Sequence, residues 1–145
     1  MKKYLIPLLF LFLPILAFAQ TASELEAVLE TQAVTCAQAA RFVIASSGTT
    51  LSGPEFELAM ARGWFREGTA PDESITLGKL SFLIMKAFYM KGSMMYAIFP
   101  GPRYAFRSMV SRSYIQAPSD PAMKVSGERF LQILGRVLNA VGEES

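Results

Sequence analysis

With no histidine anywhere, this sequence cannot build a Ser-His-Asp or Cys-His nucleophile, nor a histidine metal site. Its one cysteine, Cys36, is too few for a thiolate zinc cluster or an internal disulfide. Cys36 reads as a small buried hydrophobe, with pairing between two chains as the alternative. Carboxylate pairs are the remaining acid–base option: Glu55 with Glu57, or Asp72 with Glu73. Acids two apart on a helix point to different faces, and Asp72-Glu73 falls in an expected loop, so neither pair reads as catalytic. Gly53-Pro54 and Gly101-Pro102 are isolated pairs rather than a glycine-rich phosphate cradle. The expectation is a non-enzyme that uses no cofactor and no metal.

Residues suited to binding are easier to find. Arg103, Arg107 and Arg112 recur at roughly helical spacing, with Tyr104 and Tyr114 nearby. Arginine forks grip carboxylate or phosphate oxygens, and an adjacent ring can stack on sugar. Trp64 is a candidate sugar platform; its match to Tyr114 in the repeat described below favours a packing anchor instead. Residues 88–100 are dense in methionine and aromatics, including Met94, Met95, Tyr96 and Phe99. Three readings fit that stretch. It is core in which Met fills irregular gaps, or an apolar patch that docks a partner protein, or a membrane-surface contact. In the last case Lys86, Lys91, Arg103 and Arg107 would meet anionic headgroups. Those lysines interrupt the run too early for it to span a bilayer.

The elements that must position these residues emerge from an internal repeat. Residues 62–88 placed over 112–138, a shift of fifty, align Trp64 with Tyr114, Phe65 with Ile115 and Pro71 with Pro121. The same register aligns Ile75-Thr76 with Val125-Ser126, Leu80 with Phe130, Leu83 with Ile133 and Ile84 with Leu134. A degenerate earlier copy puts Val34-Thr35 over Ile75-Thr76, then Ala39, Phe42 and Val43 over Leu80, Leu83 and Ile84. Each copy reads as two helices joined by a loop. Thr35, Thr76 and Ser126 would cap the second helices, whose apolar residues keep helical spacing. Pro54 and Pro102 would open the leading helices of the later copies, with Ser52 and Glu55 a capping box. Ser23 with Glu26 would do the same for a first helix over Glu24 to Glu30. Gly48, Gly63, Gly92 and Gly142 suit helix ends or turns. The expected fold is all-α: three tandem helix–loop–helix copies, about 23–47, 53–88 and 101–141, packed around one core.

The run Ala61-Arg62-Gly63-Trp64-Phe65-Arg66-Glu67-Gly68, followed by Pro71 to Thr76 and Leu80 to Phe88, resembles an S-layer homology repeat. The likeness covers Leu25 to Val141 when all three copies count, and it is best in the middle copy. It implies a compact three-part helical domain that holds exported proteins on cell-wall polymers. Family copies continue after Ile-Thr with Arg-Ala-Glu, and that arginine is implicated in gripping the polymer. Here the places hold Cys36-Ala37-Gln38, Leu77-Gly78-Lys79 and Gly127-Glu128-Arg129, so no copy keeps it.

The N-terminus carries an address. Lys2 and Lys3 precede an unbroken apolar run from Tyr4 to Leu16, and Ala17-Phe18-Ala19 offers a small-x-small cleavage pattern. Pro7 and Pro14 disfavour a stable spanning helix. Residues 1–19 therefore read as a cleavable export signal, leaving residues 20–145 as one domain in the periplasm or at the cell surface. The signal's lysines account for the net charge of +2, and the remainder balances. Its charges are segregated: no acid occurs between Glu73 and Asp120. That pattern is a basic solvated face or a patch for an anionic partner such as a wall polymer or lipid headgroups. An envelope protein is the other partner class; nucleic acid is not expected. Mass spectrometry of the exported protein should find Gln20 as the first residue, and a chain retaining Lys2 would show that the segment is not removed.

Overall fold

A computed structural model describes residues 22–49 and 53–144; residues 1–19, read above as an export signal, and Ser52 lie outside them. The described residues form seven helices and no strand. Helix α1 covers residues 22–30. It is followed by α2 (Cys36–Ser46), α3 (Glu55–Ala61), α4 (Leu77–Ala87), α5 (Met94–Ile98), α6 (Pro102–Ser111) and α7 (Gly127–Glu144). None of them is long and apolar enough to cross a membrane.

Hydroxyl side chains open the three main helices. The Thr35 hydroxyl accepts the Gln38 N–H at 3.2 Å, and the Gln38 side chain accepts the Thr35 N–H in return. Thr76 accepts from the Lys79 N–H at 3.3 Å, and Ser126 from the Arg129 N–H at 3.2 Å. Each such bond satisfies one donor that has no partner inside its helix. Pro54 sits at the N-cap of α3, and Pro102 is the first residue of α6. Both helices end in the same way. Gly63 and Ser113, fifty residues apart, adopt positive φ of 72° and 64°, and the next amides bond back to Ala59 and Met109.

Several boundaries differ from the sequence reading. Ser23 lies inside α1, because the preceding Ala22 is a strong helix former and is already helical. Gly142 does not stop α7, which runs on to Glu144. Leu138 and Val141 are more than a third exposed, although their spacing continues the apolar series of α7.

The core is a single apolar cluster drawn mainly from α2, α4 and α7 and the loops before them, to which Val28 of α1, Ala59 of α3, Tyr96 of α5 and Ala105 and Met109 of α6 are added. Leu80, Leu83 and Ile84 of α4 and Phe130 and Ile133 of α7 are wholly buried, each worth about 1.5–3 kcal/mol in removed apolar surface. At the centre Val34, Ile75 and Val125 are also wholly buried. The Val34 N–H donates to the Val125 carbonyl and the Ile75 N–H to the Val34 carbonyl, both at 2.8 Å. Around them the first amides of each helix reach into another segment's loop. Cys36 bonds to Glu73 and Ala37 to Pro71; Leu77 bonds to Met123 and Gly78 to Pro121; Gly127 bonds to Thr31. Helix α3 packs on α2 and α6 packs on α4.

At the α1–α7 junction, a side chain on Gly127 would overlap the backbone carbonyl of Val28. Gly127→Ala should therefore destabilise the protein by about 3 kcal/mol, measured by urea unfolding. A loss below about 0.5 kcal/mol would show that this junction is looser than described.

Candidate functional site

Helix α6 separates two surface depressions, and the predicted binding residues divide between them. On one side a groove of about 660 Å³ is walled by Trp64, Phe65 and Arg66, by Thr76, Gly78, Lys79 and Phe82 of the α4 start, and by residues 100–103. Pro121 and Ala122 close its end. Its surface is mainly apolar, with guanidinium groups from Arg66 and Arg103 at the rim. On the other side, Tyr104, Arg107 and Arg112 line a second depression with Ser93 and Met95, about 480 Å³ in volume. The expected single stripe of three arginines is thus split by the helix that carries it.

The individual roles change accordingly. Trp64 is buried, with the Arg62 guanidinium 5.3 Å over its ring, so it forms the floor of the groove and not an open sugar platform. Arg112 donates to the Lys91 carbonyl, which ties the end of α6 to the segment before α5. Arg107 lies over the Tyr104 ring at 6.0 Å. Among the described residues only two ion pairs form, Arg41 with Glu24 and Lys79 with Glu73, both at 2.6 Å. Arg66, Arg103 and Arg107 therefore have no carboxylate partner there.

Arg66, Phe82 and Pro102 enter the site although the sequence had not marked them. The signal available was the repeat itself. Shifted by fifty residues, the groove positions Thr76, Lys79 and Phe82 become Ser126, Arg129 and Gln132, which line a polar hollow beside Gln116 and Pro118. There Arg129 donates to the Gln116 and Pro118 carbonyls at 2.7 Å, and Arg136 donates to the Tyr114 carbonyl at 3.0 Å. Those two arginines fasten a loop and leave that hollow without an apolar floor.

The Met/aromatic segment contains both core and surface. Tyr96 is buried, its ring 6.4 Å from that of Phe82, and so it is removed from the set of candidate docking residues. The short α5 turns one face inward, and Tyr96 occupies it. Met94, Ile98 and Phe99 are more than half exposed, and Met95 nearly so.

The chemistry of the remaining candidates is limited. Asp72 is exposed in the loop, and the Lys79 ammonium bonded to Glu73 holds that exposed carboxyl below its usual range. Among the described residues no three His, Cys, Asp or Glu side chains gather as a metal site would need. Cys36 is wholly buried, and burial pushes its thiol up to about 11. No family model, curated protein or solved structure matches this chain.

The thiol makes a prediction with a definite sign. Its folded value lies above the ordinary 9.0, so the folded state holds the proton more tightly than the unfolded chain. Stability should then fall as pH rises from about 9 to about 11, and Cys36→Ala should flatten that decline in denaturant titrations. Rapid alkylation of Cys36 in the native protein at neutral pH would contradict the burial.

Proposed function

We propose that this chain is an exported, non-catalytic binding module of the cell envelope. In this reading it is folded as three divergent copies of the S-layer homology kind, and its apolar groove beside α6 takes an anionic wall polymer. What supports the three-copy reading is one set of bonds recurring at matching places. Thr35, Thr76 and Ser126 cap α2, α4 and α7. The Cys36 N–H meets the Glu73 carbonyl and the Leu77 N–H meets the Met123 carbonyl, while Gly127 returns to Thr31 and closes the round. The bridges Thr35 to Ser74 and Thr76 to Lys124 stand in the same relation. Export rests on the signal pattern of residues 1–19.

The observation that carries the binding reading is the composition of one groove. An apolar lining of Phe82 and prolines, backed by the buried Trp64, lies beside Arg66 and Arg103, neither of which has an acidic partner among the described residues. The C–H faces of a sugar ring suit such a lining, and guanidinium forks suit the phosphate or carboxylate groups of a wall polymer. This groove does not use the arginine that follows Ile-Thr in the resembling family, whose place is taken by the buried Leu77.

The exported chain should sediment with isolated wall sacculi that retain their anionic polymers, and less so as salt rises. Arg66→Ala with Arg103→Ala should weaken retention at least about tenfold without changing the melting temperature, because both side chains are exposed. Unchanged retention in that double variant would remove the groove from consideration.

A further inference from the structure

We propose that α5 is a membrane-surface anchor. In this proposal Met94, Met95, Ile98 and Phe99 enter the interfacial layer of an anionic lipid bilayer, while Lys91, Arg107 and Arg112 meet its headgroups. These four apolar side chains are 78%, 42%, 59% and 60% exposed, a concentration of bare apolar surface within six residues that no other part of the described chain matches. They are held on a fixed mount. Ser93 accepts the Tyr96 N–H at 3.2 Å, and its own N–H donates to the buried Ser108 hydroxyl at 3.2 Å. Tyr96 roots the helix beside Phe82, and Gly92 lies so close beneath the Tyr96 ring that a side chain there would collide with it. The apolar face projects because its opposite face is anchored.

Charge identifies the occupant. Six basic residues and no acid occur between Glu73 and Asp120. Only Lys79 among the six is paired with a carboxylate within the described residues. Arg107 and Arg112 share a depression with Met95, and Arg112 is bonded to the Lys91 backbone, so the cations flank the apolar tip. Arg103 follows Phe99 by four residues, and the Lys86 ammonium lies 5.6 Å over the Phe82 ring that packs on Tyr96. An exposed apolar tip suits a partner that can be penetrated, and a surround in which Lys91, Arg107 and Arg112 outnumber the neighbouring Glu144 suits an anionic one. An anionic bilayer supplies both conditions through its acyl boundary and its headgroups. The second depression lies across α6 from the polymer groove, so the proposal stands independently of the wall-polymer reading.

The test uses the chain from Gln20 onward, which contains every core residue from Val28 to Val137. In co-sedimentation at low salt it should partition at least about tenfold more strongly onto vesicles containing phosphatidylglycerol than onto pure phosphatidylcholine. Ile98→Ser with Phe99→Ser should reduce that partition at least about tenfold with the melting temperature retained, since both side chains are exposed. Lys91→Glu with Arg107→Glu should remove the preference for the anionic lipid. Failure to bind either vesicle would overturn the proposal, as would binding untouched by the apolar double variant. A concentration-dependent dimer that Ile98→Ser with Phe99→Ser dissolves would also overturn it, by assigning the patch to a second copy of the chain.

Discussion

The first amides of a helix have no acceptor within it, and in this protein that constraint determines how the segments are arranged. Side-chain caps satisfy one donor at each of α2, α4 and α7, and the carbonyls of a distant loop satisfy others. The loop of residues 71–73 serves α2, the loop of 121–123 serves α4, and Thr31 serves α7. Each loop thus completes a helix belonging to a different part of the chain, and no helix pair is self-sufficient. The proline carbonyls at positions 71 and 121 are two of the acceptors, presented from backbone whose φ the ring fixes. Apolar burial follows from this arrangement, because the bonded junction brings Val34, Ile75 and Val125 together at the centre.

The same junction produces the groove. Gly78, in the first turn of α4, is close enough to the 121 loop that an added Cβ would lie 3.2 Å from the Pro121 carbonyl and 3.5 Å from the Pro102 Cβ. Three separate segments therefore converge at one small residue, and the surface between them becomes concave. At the corresponding place fifty residues on, Glu128 replaces Gly78 and Gln132 replaces Phe82, and the surface there is polar. The two places have capped helix starts and buried apolar positions in common, and different linings. Thr76 and Lys79 meet residues of their own kind in Ser126 and Arg129, whereas Gly78 and Phe82 do not, and those two positions make the difference in lining.

That distinction also explains what could be read from the sequence. Helix starts and core positions were legible because caps and apolar spacing are local signals repeated in one register; Leu83 and Ile133 are wholly buried as their spacing implied. The sides of α6 were not legible. Arg103 and Arg107 are one turn apart, and only the position of α5 and of residues 100–102 sends them to different depressions. Nor could composition divide residues 88–100, since Met, Tyr, Ile and Phe suit core and surface alike. A helix of five residues is too short for periodicity to show that Tyr96 points inward while Ile98 points out. Arg129 and Arg136 were equally opaque, because their partners are backbone carbonyls, which every residue carries.

Ion pairing contributes little to the fold. Both ion pairs among the described residues are surface pairs, of a kind worth at most about 1 kcal/mol each. Yet eight acids and three bases occupy residues 20–75, whereas nine bases and two acids occupy residues 76–142. A segregation that stability does not require acts at longer range. Its field extends about one Debye length, roughly 8–10 Å at ordinary salt, well past the reach of an apolar contact. In the proposed membrane contact, that field would favour approach to an anionic surface with α6 and the exposed side chains of α5 foremost. On that proposal orientation would be set before contact, and short-range apolar burial would have only to hold what the field had turned into place.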